Sequence, residues 1–154
     1  MASKSPSSKR DGGNLVSQIH QLSGRVFTRI LKEYGLDEIN PSQGRILYAL
    51  WKKNGVSQGE LAELTKLDKS TLTAMLDRLE KAGHVERVAD PADSRKKIVR
   101  TTERNRKLHE RYEEASRAMI DVYYRGIPER SVDAFEATLR SILSNLGEEL
   151  ARRP

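Results

Sequence analysis

Val56-Ser57-Gln58-Gly59-Glu60-Leu61-Ala62-Glu63-Leu64-Thr65-Lys66-Leu67-Asp68-Lys69-Ser70-Thr71-Leu72-Thr73-Ala74-Met75-Leu76-Asp77-Arg78-Leu79-Glu80-Lys81-Ala82-Gly83 decides the fold. Ser57 and Glu60 stand at capping-box spacing, and Val56 and Leu61 occupy the two positions of a hydrophobic staple. The spacing predicts a short helix running to about Thr65. After Lys66-Leu67 a second helix starts with Asp68 as its cap, and so short a link forces the pair to cross. In the second helix Leu72, Leu76 and Leu79 or Met75 face a core, which leaves Ser70, Thr71 and Thr73 outside near its start. Gly83 is placed to cap its end. Short hydroxyl side chains at the head of an exposed helix suit close approach to base edges and phosphates, so this pair reads as a helix-turn-helix.

Downstream, His84 to Val88 alternates like a strand, and Asp90-Pro91-Ala92-Asp93-Ser94 is turn chemistry. Lys97-Ile98-Val99-Arg100 returns as the second strand. Arg95, Lys96, Lys97 and Arg100 fall together without an intervening acid, so the hairpin is the focus of positive charge. Helix, helix and hairpin in that order predict a winged helix over residues 56–101.

Upstream, Leu15, Ile19, Leu22, Val26 and Ile30 recur at helical spacing, with Phe27 and Leu31 widening the stripe and Gly35 placed to end it. Asn40-Pro41-Ser42-Gln43 is a helix start, with Asn40 as cap, Pro41 in the first turn and Gln43 able to reach back. Ile46, Leu47, Leu50 and Trp51 give that helix a buried stripe, which Asn54-Gly55 closes. From about Thr102 a long helical pattern returns through Leu108, Tyr112, Ala115, Met119 and Val122. Gly126-Ile127-Pro128 breaks it, and a final helix carrying Val132, Phe135, Leu139, Ile142, Leu143 and Leu146 is expected to end around Gly147. The expectation is a mainly α fold with one small β hairpin: six helices, with the hairpin between the fourth and the fifth.

The chain has 154 residues, a net charge of +6 and a pI near 9.6, a balance that favours a polyanionic partner. It has no cysteine, which removes disulfides and thiolate metal sites. Residues 1–13 read as a disordered tail rather than a signal peptide or anchor, and no apolar run could span a bilayer, so a soluble cytoplasmic protein is expected. His20, His84 and His109 are widely separated and form no recognisable metal motif. Nothing resembles a phosphate-gripping loop, a nucleophile elbow or a metal-ligand set, and Glu113 and Glu114 read as a solvated helix face. Neither an enzyme nor a bound cofactor is expected. The helices at 14–35 and 102–148 hold more apolar surface than a small winged helix covers, and pairing with a second copy is the economical way to bury it.

The order of elements resembles the MarR family of bacterial transcription regulators. The resemblance rests on Leu61-Ala62-Glu63-Leu64, Leu67-Asp68-Lys69-Ser70-Thr71-Leu72-Thr73, Asp77-Arg78-Leu79-Glu80-Lys81-Ala82-Gly83, Glu86-Arg87 and Asp90-Pro91-Ala92-Asp93-Ser94-Arg95, in that order and spacing. The helical pattern extends it to residues 14–146, within one protomer at 14–154. Where the family closes its wing with a Leu-Thr pair, this chain has Thr101-Thr102.

The resemblance implies a homodimer built from the first and last two helices, bound to double-stranded DNA at a near-palindromic operator. It also implies transcriptional control, usually repression, relieved by a small aromatic or phenolic effector in a cleft between the pairing helices and the winged region. Arg95 corresponds to the family's minor-groove arginine and Asp93 to the residue that holds the wing's shape; a guanidinium suits a narrow groove of enhanced negative potential. Ser70, Thr71 and Thr73 are groove candidates, and Gln58, Lys69, Arg78, Lys96 and Lys97 are candidates for phosphate. Arg25, Arg45, Tyr48, Trp51 and Tyr112 lie on helices that the family places around the effector cleft, where an arginine beside aromatics would suit an aromatic carboxylate. Two alternatives stay open: a regulator without small-molecule control, and a winged-helix module that contacts protein instead of DNA.

Overall fold

The computed structural model describes residues 9–152. Its elements are α1 (Gly12–Glu33), α2 (Pro41–Lys52), β1 (Val56–Ser57), α3 (Gln58–Thr65), α4 (Lys69–Lys81), β2 (Val85–Ala89), β3 (Lys97–Thr101), α5 (Glu103–Arg106), α6 (His109–Tyr123) and α7 (Glu129–Arg152). They fall into two compact units, one ending at Met119 and the other starting at Ile120.

Local chemistry sets most boundaries in the first unit. Asn40 Oδ1 accepts from the Gln43 backbone N–H at 2.8 Å while Gln43 Oε1 accepts from the Asn40 backbone N–H at 3.1 Å, a complete capping box with Pro41 in the first turn. Ser57 Oγ accepts from the Glu60 N–H and Asp68 Oδ1 from the Thr71 N–H, so both helices of the turn start at the expected caps. Between them Lys66 is left-handed at φ 58°, the conformation that lets α4 leave so soon after α3. Leu61, Leu72, Leu76 and Leu79 are fully buried with Ile46, Leu47, Leu50, Val56, Val85 and Val99. The second half of α1 adds Ile30 and Leu31 to this core, and α6 adds Tyr112 and Ala115. Burial of such side chains is worth about 1.5–3 kcal/mol each.

The sheet has three strands, not two, in the order β1-β3-β2 and antiparallel throughout. Val56 pairs with Val99 and Ser57 with Ile98, while Val85 to Ala89 pair with Thr101 to Lys97. A two-residue strand has no periodicity of its own, so β1 leaves no mark in the sequence beyond the staple position of Val56.

Three boundaries correct the sequence reading. Among the described residues the helix count is seven: the pattern expected from Thr102 onward is divided at Lys107–Leu108. Thr102 caps a single turn by accepting from the Asn105 N–H, and Leu108 N–H returns to the Asn105 carbonyl at 2.9 Å. Apolar spacing continues across this break and conceals it. The last helix runs through Gly147 to Arg152, because an interior glycine costs a helix about 1 kcal/mol without ending it. The first helix begins at Gly12, inside the expected tail; residues 1–8 of that tail lie outside the described residues.

In the second unit the end of α6 and α7 flank the turn at Gly126, whose φ is +75°. Tyr124 donates its hydroxyl to Glu136 at 2.9 Å and sets its ring edge-on to Phe135. None of the 24 residues of α7 is buried.

Candidate nucleic-acid interface

α4 turns Leu72, Leu76 and Leu79 into the core, and with that rotation fixed Lys69, Ser70, Thr71, Thr73 and Arg78 are exposed on its other side. The hydroxyls are already engaged within the chain. Ser70 Oγ and Thr71 Oγ1 donate to the two Asp68 oxygens at 2.8 and 2.9 Å, and these bonds hold the Asp68 carboxyl below its ordinary value, the Thr71 backbone bond contributing most. Thr73 Oγ1 donates to the Lys69 carbonyl and accepts from Gln58 Nε2, both at 2.8 Å. Gln58 is half-buried and ties α3 to α4 across the turn. Each hydroxyl proton is committed within the protein, which leaves two acceptor lone pairs on Ser70 and on Thr71 and one on Thr73.

The hairpin tip is held by its own acids. Asp90 Oδ1 accepts from Ala92 N–H at 2.8 Å. Asp93 Oδ1 accepts from Arg95 N–H and Nε, both at 3.1 Å, which lowers the Asp93 carboxyl. Arg95 thus lies folded over Asp93 with 89% of its side chain exposed, and Lys96 and Lys97 follow it into solvent.

Arg87, which sequence reasoning gave no role, joins the two halves of this surface. From β2 its guanidinium bonds Asp77 and Glu80 of α4, holding Glu80 low and raising its own basicity. This pairing takes Asp77 away from Arg78, which is left facing a cavity of about 390 Å³ with Asn40, Gln43, Thr71 and Met75. Arg100 pairs with Glu86 across the hairpin, and Asn54 accepts from the Thr101 N–H at 3.0 Å. Pairings between residues ten or more apart leave no local sequence signal.

The residues predicted for an effector divide. Arg25 and Arg45 line one open cleft of about 280 Å³ with His20, Thr28 and Ser42. Tyr48, Trp51 and Tyr112 do not line it. Tyr48 is exposed, with Lys52 Nζ 4.5 Å above its ring. Trp51 is packed against Tyr112 and bonded to Asn105. Burial pushes the Tyr112 hydroxyl up to about 12, against the opposing pull of Arg45. Gly44 lies directly under this ring, where a Cβ would collide with the phenol. Among the described residues no cluster of three or more His, Asp or Glu could hold a metal ion, and no helix is long and apolar enough to cross a membrane.

Residues 39–97, which hold α2 to the start of β3, match the family model described as "MarR family". The regulator TtmR of Methylorubrum extorquens is 35% identical over 85 residues, covering 55% of this chain and 42% of that protein. The chain thus spans about half the length of the curated relatives it matches, 42% and 56% for two of them. Solved structures align over more. A MarR mutant from E. coli complexed with operator DNA superposes with a TM-score of 0.77 at 26% identity, covering 85% of this chain and 92% of that one. CouR from Rhodococcus jostii RHA1, bound to p-coumaroyl-CoA, gives 0.74 at 29% identity, covering 91% and 95%. The matched segment holds the crossed helix pair and most of the hairpin, and over these residues the chain is similar to the MarR family of winged helix-turn-helix transcription regulators.

Proposed function

We propose that this chain is a homodimeric, sequence-specific, double-stranded-DNA-binding repressor that leaves its operator when a small aromatic or phenolic ligand binds. The observation that carries the reading is the outer face of α4, where Lys69, Ser70, Thr71, Thr73 and Arg78 are exposed together while three leucines anchor the helix behind them. In this reading α4 enters a major groove, and Arg95 reaches the flanking minor groove from a tip shaped by Asp93. Gln58, Lys69, Arg78, Lys96 and Lys97 supply phosphate contacts, which strengthen binding in a salt-dependent way. The likeness to a protein solved with operator DNA supports it.

The pairing surface is assigned to 14–35 and 102–148. Leu15, Val16, Ile19 and Leu22 of α1, and Ile142, Leu143 and Leu146 of α7, are between 38% and 59% exposed, apolar area that a second copy would cover. Two copies related by a two-fold axis read two half-sites, hence a near-palindromic operator. A dimer seated there excludes other proteins from the same duplex, which represses. The Arg25–Arg45 cleft presents two guanidiniums to an acid, and the bound p-coumaroyl group of CouR supports an aromatic occupant.

A salt-controlled binding assay on the DNA upstream of the gene tests this, with scrambled duplex and Arg95→Ala protein beside it. Selective binding should persist over moderate salt, and Arg95→Ala should weaken it by about 1–3 kcal/mol. Equal affinity for the scrambled duplex overturns the reading. Titrating aromatic acids into the complex should release DNA, and Arg25→Ala and Arg45→Ala should raise the concentration required.

A further inference from the structure

Beneath the hairpin lies a buried polar chain that the DNA-binding surface does not use. His84, the residue before β2, is completely buried; its Nδ1 lies 3.0 Å from Asn105 Nδ2. Asn105, also completely buried, accepts from the indole N–H of Trp51 through Oδ1 at 2.9 Å. Trp51 stacks on His109 of α6 with ring centres 4.7 Å apart. A run of contacts therefore joins the root of the hairpin, through α5, to α2 and α6.

The proton positions along it follow by elimination. An indole nitrogen only donates, so the Asn105 oxygen must face Trp51 and the Asn105 amino group must face His84. His84 Nδ1 then has to accept, which makes the ring neutral with its proton on Nε2. That Nε2 has no hydrogen-bond partner; the Glu38 carboxylate is 4.0 Å away and held by Arg104 at 2.7 Å. A second proton would have to sit on Nδ1, against the Asn105 amino group. Relief requires the amide to turn, and a turned amide sets its amino group against the indole N–H.

We propose that His84 and Asn105 form a proton-operated latch between the root of the β2–β3 hairpin and Trp51, closed while His84 is neutral and opened by a proton on Nδ1. The charges around the ring agree with a closed state near neutrality. Burial lowers the basicity of His84 below its ordinary 6.5; Glu38, from the segment before α2, opposes that, and Arg104, from α5, adds to it. On α4 Glu80 is paired with Arg87, and on α6 His109 stacks on Trp51 and is paired with Glu113. Because the folded chain binds this proton less readily than the unfolded chain, the stabilisation is whole above pH 6.5. It drains as the pH falls from there through the lower folded value.

Trp51 is the single tryptophan of the chain, so its emission reads the latch directly. In the full-length protein, emission should change on acidification from about pH 8 to 5, a span that brackets histidine titration, and the change should be lost in His84→Gln, whose neutral amide accepts from Asn105 at every pH. It should survive in His109→Gln, which removes the ring stacked on the indole. In Asn105→Asp, where a carboxylate accepts from both Trp51 and protonated His84, the midpoint should move to higher pH. An acid transition that persists in His84→Gln, or vanishes in His109→Gln, overturns the latch. Nitrogen-15 NMR of the unsubstituted protein decides independently of how the variants fold. The expected neutral form carries its proton on Nε2, and a proton found on Nδ1 overturns the assignment.

Discussion

α4 and α7 carry the same kind of apolar periodicity and come to opposite ends. In 13 residues α4 buries Leu72, Leu76 and Leu79 completely, whereas α7, with 24 residues, buries none. Leu143 and Leu146 are 53% and 59% exposed, Leu76 not at all. Period alone tells which side of a helix is apolar; what covers that side depends on partners that the helix itself does not encode. α4 is enclosed because caps and a left-handed Lys66 fold α3 back across it, while α7 follows a glycine turn at Gly126 and within its own unit meets Tyr124 through Glu136 and Phe135.

Removing the inner side of α4 should have the largest effect. Leu76→Ala deletes a fully buried side chain among neighbours that relax only in part, so chemical denaturation should show a loss of about 2–5 kcal/mol. Such a loss is a large share of a small domain's stability. A loss under 1 kcal/mol, the range typical of a surface site, would erase the contrast with α7.

Next in size is Gly44→Ala on α2. A glycine inside an exposed helix would gain about 1 kcal/mol from this change. Here the added methyl meets the Tyr112 ring, which is 5% exposed and hemmed in by Phe27 and Trp51, so it has no room to swing aside. Overpacking of this kind costs about 1–3 kcal/mol, and thermal melting should show net destabilisation. Pairing the change with Tyr112→Phe, which removes the hydroxyl that the methyl strikes first, should restore part of the loss. A stabilised Gly44→Ala protein would mean that α2 and α6 pack less tightly than the other core contacts.

These two sites also mark what the sequence discloses. The caps at Asn40, Ser57 and Asp68, the leucines of α4 and the turn glycines were legible because each acts within about four residues of itself. So was the exposed face of α4, since burying its leucines dictates where Lys69, Ser70 and Thr71 point. The Arg87 clamp on Asp77 and Glu80, the third strand at Val56–Ser57 and the His84–Asn105–Trp51 chain were not, because their partners are brought together only by the fold. The five proposed effector residues separated for the same reason: Arg25 and Arg45 line one cleft, while Trp51 and Tyr112 turn inward.

The smallest effect on the fold itself belongs to α7. Leu143→Glu with Leu146→Glu places two carboxylates where the side chains are more than half exposed, so the unfolding free energy of the isolated chain should change by less than about 0.5 kcal/mol. The oligomeric state should respond strongly, because charge in the middle of an apolar pairing surface is left desolvated with no partner. Sedimentation should find the unsubstituted protein as a dimer and the double variant as a monomer. The apparent stability of the unsubstituted protein should also rise with its concentration, as mass action requires of a fold coupled to pairing. A double variant that remains dimeric would place the pairing surface elsewhere. The apolar face of α7 would then be open for a reason other than self-association, and the contrast with α4 would have to be explained without a second copy.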